Sequence, residues 1–237
     1  MLKLNTFSIT ARCERTGQLG IAVSTAVPGV GMLCPFVQAD VGAVATQSFV
    51  NPYLGIWGLE YLANGNTATR TLELLKQRDA GLELRQFAIV DRHGGSAAFS
   101  GDGCDGWYGH LTGHNVAIAG NMLTGSETLA AMQASFPTSE QQPLAERLLE
   151  ALVAGQQAGG DKRGKQSAAV KVFSTEQYPL VDLRVDEHAD PVAELVRVYG
   201  VAKQSLLPLI AMLPTHAHPT GQFDMAEARS RGILQNN

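Results

Sequence analysis

Across the 237 residues, the side chains able to do chemistry stand mostly apart. The densest group is AGGDKRGKQSAAVKVF, residues 158–173, in a chain only 17% charged. Asp161 and Arg163 are spaced for a local ion pair, and Gly159, Gly160 and Gly164 permit positive φ or close backbone approach. Two readings stand side by side. In one, Arg163 grips a substrate carboxylate, which its planar fork matches. In the other, the pair pins a loop joining a helix to a buried strand, or forms a subunit contact. A phosphate cradle does not fit, because neither G-x-G-x-x-G nor G-x-x-x-x-G-K-[ST] is present there. Asn121, in AGNML directly after a strand, could donate to an oxyanion or cap the next turn.

Metal chemistry has thin support, and no metal or cofactor is expected. His110 and His114 are four apart, but Gly109 and Gly113 argue against one continuous helix there. His216 and His218 lie in a proline-bearing tail. DEHAD, residues 186–190, reads as the lead-in and cap of a helix beginning at Pro191. Cys104 sits in a glycine-rich stretch with Trp107 and has no identifiable base.

The elements that must position these groups follow from periodicity. Residues 6–11, TFSITA, alternate as a strand; ERTGQ turns, and residues 19–24 return to complete a hairpin. Residues 41–48 form a β-leaning run of small side chains. Helices are expected over 54–62 and 68–76, separated by ANGNTA. Strands return at 85–91 and 96–100, then at 116–119. Helical spacing resumes over 126–134 and 143–155, where Leu144, Leu148, Leu149 and Leu152 share a face. Strands at 168–173 and 181–186 precede the helix from Pro191.

Strands therefore come in hairpins and helices in pairs, which disfavours alternating parallel βαβ units. The order fits an α+β fold of two antiparallel sheets between helical layers, because each helix pair needs an apolar sheet face to cover. One domain is expected over residues 1–213, with a peripheral tail over 214–237.

Composition bounds the function. With 45% hydrophobic residues the chain can bury a large core. A net charge of -4 gives no basic field for a general nucleic-acid binder. No run approaches a membrane span, and the first residues lack the apolar segment of a secretory signal. Three cysteines, far apart and odd in number, argue for a reducing compartment. A cytoplasmic protein is expected, with no nucleic-acid or membrane partner, acting if at all on a small molecule.

Several blocks in order resemble the bacterial family called domain of unknown function 1028. They are TFSITA, TGQLGIAVST, GAVATQSFVNP, RQFAIVD, GNML, LAERLLEAL, GGDKRGKQSAAVKV and DLRVDEHADPVAEL. Together they span Thr6 to about Tyr199. That family is similar to the N-terminal-nucleophile hydrolases, whose fold is a four-layer αββα sandwich. The resemblance implies a nucleophile at the first residue of the first strand, here Thr6, once the Asn5–Thr6 bond is cut.

A freed threonine carries hydroxyl and α-amine on one residue. The amine, with a pKa of about 7.7–8.0, can serve as general base near neutrality. Against this, Thr6 also suits a strand start, and an uncut Asn5–Thr6 bond leaves its nitrogen a peptide amide. The resemblance also directs Ser24, Thr46 and Asn51 toward the same cleft, where small polar residues packed between sheets are the plainer reading. It implies an amidohydrolase or, where the first strand stays uncut, a non-catalytic binding or oligomeric protein. A dimer is expected by analogy and from exposed helical layers.

Overall fold

Alternating side chains and a tight turn make β1 (Thr6–Arg12) and β2 (Leu19–Thr25) the expected hairpin. The structure is a computed structural model and describes residues 6–136, 141–222 and 225–230. The Asn5–Thr6 bond and the segment before it therefore lie outside the described residues. The chain divides into two compact units, Met1–Leu195 and Val196–Asn237.

The first unit is a four-layer sandwich. One sheet has six antiparallel strands in the order β10 (Val181–Val185), β9 (Ser167–Phe173), β2, β1, β8 (Val116–Leu123), β7 (Trp107–Gly113). The other has four, in the order β3 (Pro35–Gln38), β4 (Gly42–Ser48), β5 (Arg85–Asp91), β6 (Ser96–Ser100). Between them lie Ile21, Val23, Ala43, Ala45, Ala88, Val90, Ala117 and Ala119, all fully buried. The many alanines let the two backbones approach closely.

A helix pair covers each outer face. On the four-stranded sheet, α2 (Pro52–Ala63) and α3 (Ala68–Arg78) press Leu54, Leu62, Leu72 and Leu75 onto Val44, Phe87 and Ile89. On the six-stranded sheet, α4 (Glu127–Ser135) packs against β8, and α5 (Leu144–Gln157) against β1, β2 and β9. A single turn, α1 (Val30–Leu33), follows β2. These are the two antiparallel sheets between helical layers that the helix-pair and hairpin order implied.

Two strands were not foreseen. Residues 107–113 read as a glycine-rich loop but form β7, an edge strand whose exposed side chains give no buried alternation. β3 is four residues long and opens on Pro35, tolerated because it too is an edge. β8 also runs to Leu123, four residues past the expected end, which carries Asn121 into the sheet.

Gly55 of α2 is required by packing. A Cβ there would lie 2.1 Å from the Phe36 ring of β3, and the close approach lets α2 settle on the sheet. Gly55→Ala gains about 1 kcal/mol of helix propensity and loses about 3 kcal/mol to overpacking. The net loss of about 2 kcal/mol should lower Tm by roughly 4–8 °C in a thermal melt. An unchanged or higher Tm would mean that Phe36 moves aside freely.

The division between the units falls inside α6 (Pro191–Ile210). In the second unit, α6 contains Pro208, and a turn at residues 215–218 holds His216 and His218. The segment returns through Gln222 N–H donating to Met212 O at 3.0 Å. The last described helix is α7 (Met225–Ser230).

Candidate active site

Side-chain parity decides what can surround Thr6. Val23 of β2 belongs to the core between the sheets, and β1 pairs Thr6 with Thr25 and Ser8 with Val23. Thr6, Ser8 and Thr25 therefore face the gap between the sheets, at the end of the sandwich where β1 begins. Thr6 is fully buried, and its hydroxyl donates to Thr25 Oγ1 at 3.3 Å. On the facing sheet, Ala43 and Ala45 set the parity that turns Gln47 inward. Its Nε2 donates to the Thr6 carbonyl at 3.3 Å, and its Oε1 accepts from Ser8 Oγ at 2.7 Å.

Ser24 and Thr46 sit one residue out of step. Ser24 Oγ donates to Ser167 O at 3.3 Å, and Thr46 Oγ1 to Asn51 O at 3.3 Å. Both side chains lie on the helix-facing sides of their sheets, since successive residues of a strand alternate faces. Their neighbours Thr25 and Gln47, which the sequence reading passed over, occupy the positions expected of them.

The charged seam closes the same end. β1 lies between β2 and β8, and Asp161 reaches past both. Its Oδ2 accepts from Ala26 N–H just beyond β2 at 3.3 Å, and its backbone forms an isolated bridge to Leu123 at the end of β8. Asp161 thus ties the end of β2 to the end of β8, the strands on either side of β1. Arg163 holds it through Nη2 to Oδ2 at 2.9 Å and Nε to Oδ1 at 3.3 Å, and its backbone N–H also donates to Oδ1 at 2.9 Å. Asp161 is buried while Arg163 is half-buried, so the acid faces inward and the base outward. The expected ion pair is present, and Gly159, Gly160 and Gly164 adopt positive φ of 119°, 58° and 118°.

Behind Thr6 an amide network fills the gap. Gln86 of β5 accepts at Oε1 from Gln47 Nε2 (2.7 Å) and Asn121 Nδ2 (2.9 Å). Its own Nε2 faces Ser100 Oγ at 2.7 Å, Gly120 O at 2.8 Å and Gly109 O at 3.1 Å. Ser100 Oγ continues to His110 Nδ1 at 3.0 Å on the exposed edge strand β7. Gln86 therefore fixes which way the amides of Gln47 and Asn121 point. Ser126, not Asn121, occupies the N-cap position of α4.

Backbone strain clusters here as well. Among the described residues four non-glycine residues have positive φ, and two of them follow the network amides directly: Ser48 (67°) after Gln47 and Met122 (54°) after Asn121. Ser48 Oγ is also buried without a hydrogen-bond partner. Such conformations cost on the order of 1–3 kcal/mol each and concentrate where a site has to be held in shape.

Asn51 caps α2, accepting from Tyr53 N–H at 3.1 Å and donating from Nδ2 to Asp79 Oδ2 at 2.9 Å. Asp79 in turn receives Arg85 Nε at 2.8 Å, and Arg85 Nη1 donates to Phe49 O at 2.6 Å. This cluster pins the loop that follows strained Ser48. Burial raises the Asp79 pKa, but hydrogen bonds from Arg85, Asn51 and Gly81, with the Arg85 charge, outweigh it and hold the carboxyl below its ordinary range. A depressed folded pKa contributes stability above the unfolded value of about 3.9, lost as pH falls through the folded value. Asp79→Asn should therefore cost about 2 kcal/mol at pH 7 and less near pH 3, read from denaturant midpoints at both pH values. An equal cost at both would show that charge is not what Asp79 contributes.

Burial pushes the Cys34 thiol up to about 12, against a hydrogen bond with the Thr46 backbone, so it carries no thiolate near neutrality. Cys104 is buried, like Cys13 and Cys34, and its thiol donates to Arg85 O at 3.6 Å. Among the described residues no group of three or more His, Cys, Asp or Glu is placed to hold a metal, and no helix is long and apolar enough to cross a membrane. Asp190 caps α6, accepting from Ala193 N–H, and pairs with Lys165 at 2.8 Å.

The first unit is thus an αββα sandwich with Thr6 opening the central strand β1. Residues 6–195 match the model of a family of unknown function, DUF1028, and the chain belongs to that family. A solved structure of protein SPO2555 from Silicibacter pomeroyi, assigned to the same family, is 29% identical, with a TM-score of 0.83 over 93% of this chain and all of that one. Anbu (ancestral beta-subunit) from Yersinia bercovieri gives 14% identity and a TM-score of 0.40 over 88% of this chain and 98% of that one. A Gly-1 mutant of Anbu from Hyphomicrobium sp. strain MC1 gives 13% and 0.41, over 93% of this chain and all of that one. No curated protein matches.

Proposed function

We propose that the chain is an N-terminal-nucleophile amidohydrolase acting on a small amide or peptide-like substrate, with Thr6 as nucleophile. The observation that carries this reading is the position of Thr6. Its hydroxyl opens a central strand, faces the gap between the sheets and donates to Thr25, while Gln47 holds its carbonyl. The shared family region also begins at Thr6.

Hydrolysis of the Asn5–Thr6 bond frees the α-amine as general base. The amine takes the hydroxyl proton, directly or through water, as Oγ1 adds to the substrate carbonyl. Collapse of the tetrahedral oxyanion expels the leaving amine, which receives that proton, and water then hydrolyses the Thr6 ester. Gln47 holds the Thr6 carbonyl, and Asp161 ties the ends of β2 and β8, the strands on either side of β1. Asn121 is the side-chain donor for the oxyanion, and Arg163 at the rim meets a substrate carboxylate. Ser24, Thr46 and Asn51 support the strand and helix ends around this site.

We place the protein in the cytoplasm, where its three buried cysteines suit a reducing medium, and read it as a homo-oligomer, in the simplest case a dimer. Intact-mass measurement paired with a panel of small p-nitroanilides tests the hydrolase. Loss of residues 1–5 with release of nitroaniline is the expected result; a full-length mass with no release overturns it.

One observation favours a second reading, a non-catalytic binding or structural protein on the same scaffold. Thr6 is fully buried, and its hydroxyl is already engaged by Thr25. That reading predicts the full-length mass.

A further inference from the structure

Helix α2 is apolar on both sides. Its sequence, PYLGIWGLEYLA, has one charged residue in twelve, Glu60. Leu54, Gly55, Gly58 and Leu62 face the sheet and are buried. The opposite side carries Tyr53 (57% exposed) and Ile56 (42%), with Trp57 and Tyr61 half-buried beside them. A helix of a helix layer ordinarily turns a charged face to water. Its neighbour α3 does so, presenting Arg70, Glu73, Lys76 and Arg78.

The outward residues are also of the types that anchor protein contacts. Tyr53 and Trp57 stack with centroids 5.1 Å apart. The Arg78 guanidinium lies 3.9 Å from the Trp57 ring centre, and its Nη1 donates to Tyr61 Oη at 3.0 Å. Arg78 thus lies on an aromatic platform whose Trp57 is one turn from Glu60.

We infer that this face binds a second copy of the chain, α2 against α2 about a two-fold axis. The inference rests on reading the chain as a homo-oligomer and is independent of the hydrolase chemistry. A two-fold contact pairs each surface with itself, so it requires self-complementarity. With the axis near the middle of α2, Glu60 of one copy comes opposite Trp57 of the other, where that copy's Arg78 sits. One acid and one base then meet twice, around a centre of Ile56 and aromatic rings. The twelve-residue helix is about 18 Å long, which makes this a small interface. Association in the micromolar range is expected.

Sedimentation velocity over about 1–100 μM, with circular dichroism melts to verify folding, tests this. The wild-type chain should move from one-chain toward two-chain mass. Ile56→Glu, Glu60→Arg and Arg78→Glu should each weaken association at least tenfold. Mixing Glu60→Arg with Arg78→Glu restores opposite charges at both contacts and should restore the two-chain species. A wild-type chain that stays single at 100 μM overturns the inference. So do a dimer indifferent to all three substitutions, which would place the contact elsewhere, and a mixture that fails to recover.

Discussion

Thr6→Ala is expected to abolish amide hydrolysis while leaving the sandwich folded. The substitution removes one hydroxyl whose observed donation is to Thr25 at 3.3 Å, a bond worth about 1 kcal/mol. Its backbone register with Thr25 is untouched. Loss of a nucleophile that acts as a unit with its base lowers turnover by at least about 10⁴-fold. Thr6→Ser keeps hydroxyl and amine and should retain most of the rate. The comparison to make is nitroaniline release by the two variants, each with a melt beside it. An alanine variant as active as the wild type removes Thr6 from the chemistry, whatever its Tm.

The second large effect is on stability. Gln86→Leu should destabilise the fold by about 3–5 kcal/mol, because it strands donors and acceptors that are mostly buried. Gln47 Nε2 and Asn121 Nδ2 lose their shared acceptor, and the carbonyls of Gly109 and Gly120 lose their donor. Each buried group left unmet costs about 1–3 kcal/mol, and local rearrangement recovers part of the sum. Gln86→Glu is a sharper variant still, since it keeps the acceptors, deletes both donors and buries a charge. Midpoints in urea at constant m-value measure both. A loss below about 1 kcal/mol for Gln86→Leu would show that the network is replaceable by hydrocarbon packing.

How far the sequence could be read depended on whether a strand alternates polar and apolar residue types. β1 and the β5–β6 hairpin alternate or end in clear turns, so their existence and pairing followed from periodicity. β2 and β4 are buried along all seven residues, because helices cover one side and the opposite sheet the other. Nothing in LGIAVST or GAVATQS then distinguishes gap-facing from helix-facing positions. Ser24 and Thr46 were chosen for their hydroxyls, and Thr25 and Gln47 proved to hold the gap.

The Asp161–Arg163 pair was legible because opposite charges two residues apart among glycines rarely go unpaired. Gln86 carried a fainter signal. Gln47 and Gln86 are long polar side chains inside otherwise apolar strands, and such groups are retained in an interior only when partnered. Searching strand interiors for that conflict would have found both. β7 left no trace, since its glycines and exposed histidine look the same in a loop as at a sheet edge.

The most direct test of the proposed chemistry is covalent capture. Native protein treated with a small β-lactone, an electrophile that acylates activated hydroxyls, is digested and mapped by mass spectrometry. The expected product is a peptide beginning at Thr6 with the lactone added as an ester on its side chain. Unlabelled protein still carrying residues 1–5 ahead of Thr6, or label confined to any other residue, would contradict the assignment.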